Sequence, residues 1–195
     1  MKHFLFLALL FCAVMTAGAY SAQSKPYEGL VDPEKMMKMK EISVFGVNLT
    51  MTVGEILSTL EKQGVKLECR GGGISCQVRT QTFNMHVQHK YRSKKTYAPG
   101  TAPAVDLGAL PIAISFGQAS GPAGNCAPVH EAIKIFCSGG ADKPPCRTDN
   151  FGRIHGGPVA SGFSSDGHRY KGDFSLVSPQ QCGIRLEQRS KMPVR

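Results

Sequence analysis

The stretch from Leu67 to Cys76 reads L-E-C-R-G-G-G-I-S-C and sets two cysteines around three consecutive glycines. A covalent bridge across such a connection would constrain this chain more than any other local feature. It would fix two neighbouring strands in one register. Whether those thiols oxidise depends on the compartment, and the N-terminus speaks to that. In M-K-H-F-L-F-L-A-L-L-F-C-A-V-M-T-A-G-A-Y-S-A, Lys2 supplies a positive start and Phe4 to Val14 a short apolar run. Ala17-Gly18-Ala19 then gives a small-x-small cleavage pattern, and Tyr20-Ser21-Ala22 offers a second one. Residues 1–22 therefore read as a cleaved secretory signal. The apolar run is too short for a comfortable membrane span, and no other stretch is long enough. A lipid anchor on Cys12 is disfavoured, because Phe11 stands where that modification requires a small residue. The expected location is secreted or periplasmic.

Of seven cysteines, Cys12 falls in the signal and six remain: Cys69, Cys76, Cys126, Cys137, Cys146 and Cys182. An even number in an exported chain argues for disulfides. Six cysteines allow fifteen connectivities, and spacing alone does not choose among them. Zinc is disfavoured, since no C-x-x-C pair occurs and the histidines lack finger spacing. No metal and no cofactor is expected.

The formal charge is +9, one less once Lys2 leaves with the signal. Such an excess attracts anionic partners. For an exported chain these include lipopolysaccharide, anionic phospholipid and acidic glycans. The competing explanation is plain solubility. The chain has no Trp and only 8% aromatic residues, which disfavours a broad stacking platform and makes nucleic acid an unlikely partner.

Local patterns then organise the chain. Gln23 to Val31 reads as a mobile leader. Asp32-Pro33-Glu34 is a helix start, with Asp as cap, Pro at the first helical position and Glu at the positive dipole end. The helix predicted through Lys40 carries Met36, Met37 and Met39, either as packing residues or as a thioether cluster for copper. Ile42 to Val47 reads as a strand or extended entry. Thr52 to Glu55 forms a capping box, followed by Val53, Ile56, Leu57 and Leu60 on one face and Gly64 as the stop. Val65, Leu67 and Cys69 alternate on one strand and Ile74, Cys76 and Val78 on the next, with the glycines in the connection. Cys69 and Cys76 then fall on the same face, and a bridge between them would pin the register. The alternation shifts phase to Phe83, Met85 and Val87, so a bulge or turn is expected near 81–84.

The run G-V-N-L-T-M-T-V-G-E-I-L-S-T-L-E-K-Q-G (46–64), followed by these strands, resembles small exported modules of the SmpA/OmlA type. There, a glycine and a T-x-x-E helix precede a small antiparallel sheet. The resemblance covers about residues 46–91 and implies a helix-plus-hairpin fold with a non-enzymatic role in outer-membrane assembly, inhibition or binding. The helix here ends K-Q-G instead of the family's L-G-x-P, and no functional residue carries over.

Ala98 to Ala104 reads as a linker or long loop, and Leu110 to Phe116 as a strand with Pro111 at its first residue or on an edge. Gly117 to Asn125 reads as a loop, and Val129 to Phe136 as a short helix or, given its β-branched residues, a strand. Gly139 to Val159 is Gly/Pro-rich and hence irregular. Arg169 to Val177 and Gly183 to Gln188 form a closing hairpin. The predicted fold class is α+β: short helices packed on an antiparallel sheet, with a disulfide-pinned, loop-rich second half. The segments are the signal (1–22), a helix plus antiparallel hairpin module (23–97) and a Gly/Pro/Cys-rich, β-rich region (98–195), which either shares one domain with the module or forms a second.

Several constellations bear on function. The basic run Lys90, Arg92, Lys94 and Lys95, with Tyr91 and Tyr97, is the candidate anion-binding surface; the plainer reading is a charged edge that deters aggregation. His86 and His89 would share a metal only on a helix, whereas the strand pattern puts them on opposite faces. Cys126 with His130 has the composition of a thiol nucleophile and its base, but a disulfide suits the even cysteine count better. Ser164, Ser165, Asp166, His168 and Asp173 offer triad chemistry or, more simply, turn chemistry. Asn48-Leu49-Thr50 is a glycosylation sequon, relevant only in a eukaryotic source. The reading these support is a non-catalytic secreted or periplasmic binding protein with a basic surface, whose partner is an anionic envelope component or another protein. The alternatives are a small exported hydrolase of an anionic polymer, built on His130, His155 or His168, and a disulfide-scaffold enzyme inhibitor with Gly139 to Gly157 as its loop.

Overall fold

The computed structural model describes residues 29–70, 75–89 and 105–191. The signal, most of the leader, Gly71-Gly72-Gly73, the basic run from Lys90 and the 98–104 linker lie outside the described residues. The fold is α+β, as the sequence predicts. In chain order come β1 (Gly29–Val31), α1 (Pro33–Met37) with a following 3-10 turn (Lys38–Glu41), α2 (Val53–Lys62), β2 (Glu68–Arg70), β3 (Ser75–Arg79), β4 (Phe83–Gln88) and β5 (Ala113–Gln118). After a second 3-10 turn (Ala123–Cys126) follow α3 (Ala127–Phe136), β6 (Cys146–Thr148), β7 (Ile154–Gly156), β8 (Pro158–Ala160), β9 (His168–Ser178) and β10 (Gln181–Ser190).

All the strands belong to one sheet, ordered β1-β8-β9-β10-β5-β4-β3-β2, with β7 also on β9 and β6 on β7. Among the described residues only the β1–β8 pair is parallel. The sheet therefore runs through both halves of the sequence, joined where β5 pairs with β10.

The helices form for reasons visible locally. The Asp32 carboxylate accepts from the Glu34 and Lys35 N–H groups, so α1 begins capped. At α2, the Glu55 N–H donates to the Thr52 hydroxyl while the Thr52 N–H donates to the Glu55 carboxylate, completing the capping box. Gly64 takes φ +78° and the Val65 N–H donates back to the Leu60 carbonyl, which closes α2 in the left-handed stop expected of glycine. Val53, Ile56 and Leu60 are fully buried. Met36 and Met39 are also fully buried and Met37 packs against the same core, so the copper reading gives way to packing. A side chain on Gly172 of β9 would collide with Met39, which fixes how closely the turn after α1 lies on the sheet.

Three disulfides join these parts. Cys69 and Cys76 face each other across β2 and β3. Cys126, just before α3, is bonded to Cys182 in β10. Cys137, just after α3, is bonded to Cys146 at the start of β6. Both ends of α3 are thus tied to strands, and the helix packs on β9 and β10 through Val129, Ala132 and Phe136.

Several expectations need correction. Ile42 to Val47 is not a strand: Phe45 and Gly46 both take positive φ and fold Val44 back onto Val47. Gly29 to Val31, read as leader, is a strand paired with Pro158 to Ala160. Gly139 to Val159, read as irregular, holds β6, β7 and the start of β8. Gly117 and Gln118, read as loop, complete β5. Pro111 precedes β5, which is an interior strand between β4 and β10.

Loop closure ranks the bridges. Removing Cys126–Cys182, whose partners are 56 residues apart, is expected to cost about 4 kcal/mol, against about 2 kcal/mol for Cys69–Cys76 with a separation of 7. Urea unfolding of the two double Cys→Ala variants checks this order. A second test concerns Gly156, where an added methyl would run into the Phe174 ring. Gly156→Ala should cost about 1–3 kcal/mol in the same assay.

Candidate functional site

Strand alternation gives the sheet two unlike faces. Tyr170, Gly172 and Phe174 in β9, and Cys182, Ile184 and Leu186 in β10, turn toward the helices and are buried. Their neighbours Arg169, Lys171, Asp173 and Ser175, and Gly183, Arg185, Glu187 and Arg189, turn to the other face. The helical residues that join the core pack on the first face, as Met36, Ile56, Leu60, Val129 and Phe136 do, and the second stays polar.

Register assembles the polar side chains into rows across the strands. One row runs Arg147, His155, Ser175, Gly183. The next runs Asp173, Arg185, Ser115, His86. A third runs Val159, Lys171, Glu187. In a fourth, Arg169 faces Arg189. A hollow of about 550 Å³ lies over the first rows, lined by Arg147, His155, Lys171, Asp173, Ser175, Gly183 and Arg185. Gly183 contributes no side chain and so leaves the depression. A smaller hollow of about 230 Å³ lies over the later rows, lined by Val159, Arg169, Lys171, Glu187 and Arg189. Lys171 borders both.

The electrostatics of this face are cationic but internally braced. Glu187, whose side chain is only 11% exposed, sits 3.4 Å from Arg185 and 2.7 Å from Arg189. Arg185 also donates to Ser115 at 3.1 Å. These contacts hold Arg185 in place yet leave its side chain 38% exposed and Arg189's 62%. Burial, and then the nearby Arg185 charge, push the His86 imidazole below its ordinary range, so it is neutral at pH 7.

At the end of the first row, Asp149 orders the β6–β7 turn. Its carboxylate accepts from the Phe151 and Arg153 N–H groups, from the Arg153 guanidinium at 2.6 Å, and from His155 Nε2 at 3.3 Å. Burial works against ionisation there, but those donors outweigh it and hold the carboxyl well below the usual range. An ionised Asp149 requires His155 Nε2 to carry the proton, which leaves Nδ1 as the acceptor in the neutral ring. Among the described residues no hydroxyl bonds to His155.

The residues singled out by sequence fare unevenly. Lys90, Arg92, Lys94 and Lys95 lie outside the described residues. His86 lies on the polar face, while His89 follows β4 and is 4% exposed. Cys126 is disulfide-bonded, so it offers His130 no thiol. Ser164, Asp166 and His168 do come together, as a structural knot. Asp166 accepts from Tyr170 at 2.6 Å, Ser164 at 2.7 Å, the His168 N–H at 3.1 Å and Lys40 at 3.1 Å. His168 turns its ring to the Asp166 carbonyl. Ser165 bonds Glu34 instead. The knot fastens the start of β9 to α1 and its 3-10 turn. Asp173 belongs to the hollow, apart from this knot. His155 lines the hollow, whereas neither His130 nor His168 does.

Sequence reasoning passed over Arg147, Lys171 and Arg185. A signal for two of them was present: H-R-Y-K-G-D-F and I-R-L-E-Q-R place charge at every second position of two adjacent strands. The candidate site therefore brings together residues from β6, β7, β9 and β10. No family model matches the chain, and neither a curated protein nor a solved structure matches it.

The Asp166 knot generates a pH-dependent prediction. Burial disfavours the Asp166 charge, but its donors prevail and lower its pKa well below the ordinary value. Its contribution is therefore complete above pH ~4 and is lost as pH falls through the lowered native pKa. Asp166→Asn is expected to cost about 1–2 kcal/mol at pH 7. The gap from wild type should narrow in strong acid, as followed by urea titrations at pH 7 and pH 2.

Proposed function

We propose that this is a non-catalytic binding protein of a secreted or periplasmic space, and that the open sheet face holds an anionic group in the larger hollow. The observation that carries the reading is the convergence of Arg147, Lys171 and Arg185 around a depression floored by Gly183. Arginine and lysine ammonium groups recognise carboxylate, phosphate and sulfate through charge-assisted hydrogen bonds. Arg185 is already oriented by Glu187 and Ser115, so little ordering is lost on binding. The disulfides and the sequence-level export signal support the location. The likeness of residues 46–91 to exported SmpA/OmlA-type modules supports a non-enzymatic role.

The hydrolase alternative is weaker on geometry. His155 has a carboxylate on Nε2, but among the described residues no hydroxyl hydrogen-bonds its other nitrogen. Exposed Phe151 and the Arg153 guanidinium 4.9 Å over its ring make a projecting tip, which is what an inhibitor loop would need. That tip is a secondary feature beside the hollow.

Titration with inorganic phosphate, followed by backbone amide NMR shifts, tests the reading. The expected shifts centre on Gly183, Arg185 and Ser175. Arg185→Gln should weaken binding about tenfold. Gly183→Val should abolish it while the protein stays folded, because a side-chain Cβ there meets only ordinary contacts, 3.4 Å from the Ser175 hydroxyl. Shifts that centre elsewhere, or none at all, would refute it.

A further inference from the structure

Resting on that reading of the hollow, we infer that the natural ligand is a linear acidic polysaccharide laid along β9 and β10, spanning both hollows instead of filling one. Three of the four rows place a cation on the β9–β10 ladder itself, Arg185, then Lys171, then Arg169 with Arg189, and the first row adds Arg147 from β6, two strands to the side of Ser175. From Ser175 to Arg169 the strand advances six residues, so the track is about 20 Å long. A single small anion needs only the first hollow. It leaves the second, with its exposed Arg189, without a role. The two hollows meet at Lys171, so one extended molecule can occupy both.

Charge on the track decides the class. Five cations stand against two carboxylates, Asp173 and Glu187. Glu187 is tucked beneath its two arginines, so the guanidinium groups are what a ligand meets first. Among the described residues the outward strand positions carry no Phe or Tyr; Phe116, Phe174 and Tyr170 border the hollows from beneath, but each is at most 5% exposed and offers no open ring for a base to stack on. Single-stranded nucleic acid draws much of its affinity from stacking, and that support is missing here. A bilayer surface is flat and does not reach into two hollows. A polymer whose charges ride on its own chain, as carboxylate or sulfate groups do, fits the spacing and needs no stacking.

The test uses the full mature chain and heparin-derived oligosaccharides graded from di- to octasaccharide, beside inorganic phosphate. Affinity should rise with length until the track is covered. Arg189→Gln should weaken the octasaccharide about five- to tenfold and leave phosphate unchanged. The salt dependence of octasaccharide binding should be steeper than that of the disaccharide. Circular dichroism and urea midpoints establish that each variant is folded. If affinity is flat with length, or Arg189→Gln leaves the octasaccharide unaffected while Arg185→Gln weakens it, the extended ligand is overturned and the single-anion hollow stands. If neither phosphate nor any oligosaccharide binds, both fall. Tighter binding of a single-stranded oligonucleotide of equal charge would overturn the polysaccharide class.

Discussion

The β9–β10 ladder is the interaction on which the rest of the molecule depends. Strands of eleven and ten residues, joined by a short turn, offer long hydrogen-bonding edges on both sides. β10 receives β5, and through it β4, β3 and β2. β9 receives β7 near one end and β8 near the other, and through them β6 and β1. Three-residue strands such as β1, β6, β7 and β8 would not persist alone, because a short pair recovers too little to offset the entropy of ordering it. They exist because the hairpin presents a ready template.

The same ladder sorts the chemistry. Its inward side chains make the core under the three helices, and Cys182 ties that core covalently to α3. The outward side chains inherit the opposite composition through the period of two. Among the described residues the helices that join the core sit on one side, and no helix covers the outward face. Glu187 keeps the arginines from repelling one another, and Gly183 leaves room between them. Fold and candidate site are two sides of one hairpin, which is why the polar face is held as firmly as the core.

What could be read in advance was local. Thr52 to Gly64 carries its start, apolar face and stop within thirteen residues. The Cys69–Cys76 pairing followed from alternation on either side of the glycines. The closing hairpin was legible for the same reason, whereas Val129 to Phe136 left helix and strand both open. Missing were the segments whose partners lie far away. Gly29 to Val31 pairs with Pro158 to Ala160, and nothing in G-L-V announces that. Ile42 to Val47 misled because β-branched residues suggest a strand, whereas the positive φ at Phe45 and Gly46 is decided by burying Val44 and Val47 together. The Ser164–His168 cluster looked like chemistry and is a fastening, because Asp166 spends its lone pairs on Tyr170, Ser164 and Lys40.

By itself, the sequence determined the α+β class, the capped helices, the disulfide count and the excess of positive charge. Each of these is set by neighbours within about a dozen residues or by composition. Only the tertiary structure decided where that charge gathers. Arg147, His155, Lys171 and Arg185 meet because three separate strand pairings bring their rows into line. Register between distant strands is fixed by the packing of the opposite face, and no local pattern records it.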